Sequence, residues 1–262
     1  MKGKQSLLCL LCVLALGLLA ACGGTAGTAE TPGGNTAVKE PGPANSATII
    51  DEPPWLATFR VVDTYEDGTT LLLAKNGDRA GEVYSLNVAD KALDGPVLDG
   101  ELINVYFETV MESYPARFGG VSRVEHTETE RDDRCGLYLQ VLEDLWVTDP
   151  GLNTGITELG VDLSGVTDLS EAEKAAVIHR FGEKHGLFPV TGTWEELCQQ
   201  GYIDRENLFW EDGCLFTIEG TAEAFDAQKW ASGLGAYFFV DCTGEQSRDG
   251  TWTYEVGGHA IS

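Results

Sequence analysis

The chain has 262 residues, with 17 Lys and Arg against 42 Asp and Glu, a net charge of −25. A surface of that sign repels nucleic acid and anionic lipid, so neither is expected as a partner. Hydrophobic residues make up 43% of the chain and six residues are Trp, which excludes a disordered protein and calls for a packed core.

Lys2 and Lys4 open the chain, and an apolar run follows over 7–19. That run is short for a membrane span, which needs roughly 20 residues. It closes on Leu19-Ala20-Ala21-Cys22, which resembles the lipobox of bacterial lipoproteins. The resemblance implies that 1–21 is a cleaved signal peptide and that Cys22 becomes the diacylated first residue. The anchor would then hold the protein at the extracytoplasmic face of the bacterial cell membrane. Ordinary secretion with Cys22 as a free thiol is the alternative. Residues 22–50 read as the lipidated Cys and a flexible linker of Gly, Thr, Ala, Pro, Asn and Glu, with a reach of roughly 25–30 Å.

From 51 to 127 the apolar period is two. Ala57, Phe59 and Val61 alternate with polar neighbours, and Glu66-Asp67-Gly68 makes a hairpin turn before Leu71-Leu72-Leu73. Further strands run through 83–86, 102–107 and 121–124. Five short strands predict a small, closed or nearly closed all-β barrel of the OB type, with its interior filled by side chains. The Asp-Gly turn, Leu98-Asp99-Gly100-Glu101 before Val105-Tyr106, and Met111-Glu112-Ser113-Tyr114-Pro115-Ala116 together resemble the small YobA-like domain of Gram-positive lipoproteins. That resemblance implies an OB-like barrel and names no ligand.

The run EHTETERDDR over 125–134 is charged and unpatterned. It reads as a domain boundary crossed by few contacts. From 134 to 262 the expectation is an α+β domain. Leu137, Val141 and Leu145 lie at helical spacing, and 156–163 reads as a strand. Ser170-x-x-Glu173 and Thr193-x-x-Glu196 are capping boxes opening helices that stop at Gly186 and Gly201. A hairpin is expected over 208–218, then long strands over 229–241 and 251–261, with a bulge or bend at Gly233 or Gly235. Helices packed on a curved antiparallel sheet are similar to NTF2-like cone domains. Overall the fold class expected is α+β.

No motif settles a chemistry. The elbow G-x-S-x-G, the pair H-E-x-x-H and the loop D-x-[DN]-x-[DN]-G are absent, and no cofactor or metal is expected. His179 and His185 are six apart on one helix and cannot grip one metal together. Cys9 and Cys12 fall in the signal. Cys135, Cys198, Cys214 and Cys242 are either buried thiols or two disulfides, with three possible connectivities. The candidate ligand residues are His179, Trp210, Glu211, Trp230 and Tyr237, the last two sharing a cavity if the strand bulges between them. The expectation is a non-catalytic surface binding or interaction module for a small-molecule, peptide or protein ligand. A cell-envelope hydrolase and a cation-binding accessory are the alternatives.

Overall fold

Seven strands precede the first helix in the computed structural model, which describes residues 55–89, 93 and 95–262. They are β1 (Trp55–Thr64), β2 (Thr69–Ala74), β3 (Val83–Asn87), β4 (Leu102–Phe107), β5 (Thr109–Met111), β6 (Ala116–Gly119) and β7 (Arg123–His126). Cys22 and the linker lie outside the described residues. The strands pair in the order β5-β6-β3-β2-β1-β4-β7, antiparallel except for β3 with β6. No pairing joins β5 to β7 among the described residues, so the sheet is open and the expected barrel closure is corrected. The two strands beyond the expected five, β5 and β6, have three and four residues. Runs that short carry no readable alternation.

Why the sheet stays open is visible in β2, whose residues 70–74 are all buried. Leu72 and Ala74 face a core enclosed by this sheet, with Phe59, Tyr84, Ile103 and Val105. Leu71 and Leu73 face the other way. With Val62 and Val83 they join a larger core built from the second half of the chain. A strand without alternation is one covered on both faces. What covers this outer face is helix rather than water, and the exposed edges are short.

The second half continues with α1 (Arg134–Val147), β8 (Glu158–Asp162), α2 (Glu171–His185), β9 (Pro189–Thr191) and α3 (Trp194–Gln200). Five strands follow: β10 (Gly213–Thr221), β11 (Ala224–Ser232), β12 (Gly235–Gln246), β13 (Trp252–Glu255) and β14 (Gly258–Ile261). Both capping boxes form as read, and Gly186 and Gly201 end their helices at positive φ. The sheet order is β13-β12-β11-β10-β8-β9, with β14 on β12. β8 runs parallel to both β10 and β9, so the sheet is mixed rather than antiparallel. The architecture is α+β, with two mostly antiparallel sheets and three helices.

Three strand assignments are corrected, one of them 251–261, which is β13 and β14 rather than one long strand. β10 pairs with β11 and β8, whereas 208–210 makes only an isolated bridge from Phe209 on either side. Six consecutive buried residues at the start of β10 need neighbours on both edges and both faces, which a lone hairpin does not supply. The expected strand over 229–241 is two strands. Ser232 pairs with Gly235, so the chain reverses at Gly233 and Leu234.

The described residues from Trp55 to Ser262 form one compact unit. The charged run before α1 is clamped rather than free. Asp132 N–H donates to Gly100 O at 2.8 Å and Asp133 N–H to Gly250 O at 3.0 Å. Both glycines lie in Asp-Gly turns at positive φ, and a side chain on either would strike this backbone. Contacts across the run are therefore many, and the expectation of few is corrected.

Candidate functional site

The clamp places three aspartates around one cleft of about 470 Å³ between the sheets. Asp63 follows a bulge in β1 that re-aims it and pairs it with Leu71. Asp99 precedes the Gly100 turn, and Asp133 is the residue before α1, although its side chain does not cap the helix. Leu137, Gln140 and Glu143 of α1 form one wall, Lys184 of α2 adds one ammonium to the lining, and Trp252 and Tyr254 of β13 form another wall.

Basic groups hold part of this acid in place. Arg180 pairs with Asp63 and lies over the Tyr65 ring at 3.5 Å. Arg131 donates to the Asp99 carbonyl, to Thr251 Oγ1 at 2.6 Å and to Asp133 Oδ2 at 3.3 Å. Two carboxylate oxygens are left over. Asp99 Oδ1 and Asp133 Oδ1 are enclosed and have no hydrogen-bond partner, as does the Thr64 hydroxyl. Burial pushes the Asp133 carboxyl up to about 7, with the Asp99 charge adding to the rise and Arg131 opposing it. Burial also raises Asp99, with the Asp63 charge adding to the rise and Arg131 opposing it. The cleft thus holds two neighbouring carboxyls that burial makes reluctant to ionise. Such a pair can accept N–H donors or exchange a proton.

None of these aspartates was among the sequence candidates, and the candidates do not converge. Trp210 is 2% exposed, lies over Gly160 and Gly213, and donates its indole N–H to Glu158 at 2.6 Å. It staples β8 to the start of β10. Glu211 is exposed in the turn before β10. His179 packs its ring edge-on against Tyr114, 5.2 Å between centroids, and burial lowers its pKa. Trp230 and Tyr237 do not share a cavity. Trp230 pairs with Ala236 and meets Trp194 at 6.1 Å, while Tyr237 pairs with Lys229 and bonds His259 at 3.3 Å. Cross-strand partners share a face, so the two rings lie on opposite faces of the sheet. The signal for the real cleft was weak but present. Leu71-Leu72-Leu73 announced a second buried face, and the aspartates beside two Asp-Gly turns lie where the chain returns to it.

Fold and site together define a mixed α+β protein whose two open sheets share a core and enclose an acidic cleft. No protein-family model, curated protein or solved structure matches the chain. The YobA-like and NTF2-like readings therefore stand on the segments that suggested them.

Proposed function

We propose that the chain is a membrane-anchored surface lipoprotein, tethered through Cys22 and acting as a non-catalytic binding module for a ligand rich in N–H donors. The observation that supports it is the pair of enclosed, unpartnered oxygens, Asp99 Oδ1 and Asp133 Oδ1, on the walls of one cleft. A buried acceptor without a donor costs about 1–3 kcal/mol, and a guanidinium or ammonium group entering the cleft would relieve that cost. Trp252 and Tyr254 supply aromatic walls suited to a cation. The strongly acidic surface raises the local concentration of such ligands.

The test is calorimetric titration of the full chain in detergent with agmatine, which carries a guanidinium and an ammonium and no carboxylate. Saturable binding weakened at least about tenfold by Asp99→Asn is expected, since about 1.4 kcal/mol is a factor of ten. Absence of binding to the folded parent overturns the reading. The anchor is tested separately: Cys22→Ala should leave the membrane fraction. Two neighbouring carboxyls in one cleft also support a second reading, hydrolysis with one carboxyl as acid and the other as base. Turnover of envelope peptides or glycans that is abolished by Asp133→Asn would replace the binding reading.

A further inference from the structure

A second crevice, away from the acidic cleft, is created by the order of strands in the second sheet. β9, β8 and β10 lie side by side and run parallel. The chain leaves β8 into α2, whose Ala176, Val177 and Phe181 pack with Leu159 and Val161. It leaves β9 into α3, whose Leu197 packs with Leu215. Leu215 pairs with Gly160, between Leu159 and Val161 in sequence, so the two helices cover opposite faces. Neighbouring parallel strands whose connections depart to opposite faces leave an opening at their carboxyl ends, the usual ligand position in open sheets of this kind. Here that opening has a volume of about 420 Å³ and is walled by Asp162, Ser164, Thr191, Lys174 and Gln200, with the carboxylates of Glu171 and Glu196 also lining it.

Its charge is of two signs. Asp162 and Lys174 are each only 8% exposed, so both are largely withdrawn from bulk water. Asp162 Oδ1 accepts from Ser164 N–H at 2.9 Å and from its hydroxyl at 2.6 Å, and no cation pairs with it among the described residues. Lys174 Nζ holds only Glu171, at 2.9 Å, a carboxylate whose side chain is 90% exposed. An ion pair with so solvated a partner is weak and exchangeable. In the capping box Ser170 Oγ takes the Glu173 amide and the Glu173 carboxylate takes the Ser170 amide, so those two amides are not free to receive an anion. Lys174 is the cation among the residues lining the crevice, and a ligand carboxylate entering it meets that ammonium in exchange for Glu171.

We propose that this crevice binds a small zwitterion, a free α-amino acid or a short peptide, with its ammonium on Asp162 and its carboxylate on Lys174. The hydroxyls of Ser164 and Thr191 and the amide of Gln200 complete the polar wall. Each contact to an ionised group is charge-assisted and shielded from water on one side, which makes both ends of the ligand count. This site does not rest on the acidic cleft, and it discriminates by different chemistry.

The experiment titrates the folded full chain, in detergent, with L-alanine, L-alanyl-L-alanine, N-acetyl-L-alanine and L-alaninamide. Either free zwitterion should bind saturably, and the forms blocked at one end should bind at least about tenfold more weakly. Asp162→Asn keeps an acceptor for Ser164 and should selectively reduce the penalty for N-acetylation. Lys174→Met keeps the apolar stem and should do the same for amidation. Matching circular dichroism and melting temperature establish that both variants fold. The proposal is overturned if neither zwitterion binds at about 10 mM, if blocked and free forms bind alike, or if both folded variants bind as the parent does. Asp99→Asn should leave this binding unchanged, which separates its failure from that of the cleft.

Discussion

Lys229 donates from Nζ to Asn153 Oδ1 at 2.6 Å while its own side chain is wholly enclosed. The same ammonium reaches the carbonyls of Asp149 at 3.0 Å and Trp146 at 3.5 Å. α1 ends at Val147, so a cation from β11 sits where the last carbonyls of that helix point. Lys229→Met would fill the volume but leave these acceptors without a donor. A loss of about 2–3 kcal/mol is expected, read as a lower urea midpoint at unchanged slope. A change below about 0.5 kcal/mol would show that water takes over the role of the ammonium.

Asp133 makes stability depend on pH in the opposite sense from an ion-paired carboxylate. Its folded pKa, about 7, lies above the unfolded value near 4, so the native chain holds the proton more tightly. The contribution is full below the unfolded value and is lost as pH rises through about 7. Asp133→Asn removes the ionisation and should be more stable than the parent at pH 8 by about 1–2 kcal/mol, allowing for solvent screening. Thermal melts should show this gap narrowing as pH falls from 8 to 4. A gap constant across that range would show that Asp133 is ionised throughout.

The clamped run predicts one cooperative transition for residues 51–262. Gly250 has φ +85° and its missing side chain leaves room for the Arg131 carbonyl. Gly250→Ala should therefore cost about 2–3 kcal/mol, from backbone strain and steric overlap, and should lower a single melting transition. Proteolysis within 128–131 should unfold both sheets together. Release of two stable pieces would contradict the shared core.

The four cysteines of the second half are unbridged. Three are buried, and burial pushes the Cys214 and Cys242 thiols up to about 12 and about 11. In the native protein only half-buried Cys198 should react with a thiol reagent at neutral pH. After denaturation without reductant, the chain from residue 23 on should yield four free thiols. Fewer would reveal a disulfide.

Local signals were read correctly where the physics is local. Ser170 with Glu173 and Thr193 with Glu196 satisfy amides three residues away, so these caps form in any surroundings that tolerate a helix. The spacing of Leu137, Val141 and Leu145 likewise follows from the helix period. Phe225, Ala227 and Lys229 alternate onto one face, yet nothing nearby announces that this face is the core or that the lysine meets the end of α1.

The sequence by itself determined the helices, their ends, the acidity and the mixed α+β class, because each depends on residues within a turn or two of one another or on composition. Tertiary structure alone decided that the first sheet stays open beneath α1 and α2, and that Ser232 and Gly235 close a turn. It also separated Trp230 from Tyr237 onto opposite faces. Most of all, it assembled Asp63, Asp99 and Asp133. Their meeting depends on two glycines, Gly100 and Gly250, receiving the backbone of one strap between them. Contacts between residues so distant in sequence depend on loop closure and on burial of shared apolar faces, and no local pattern encodes either.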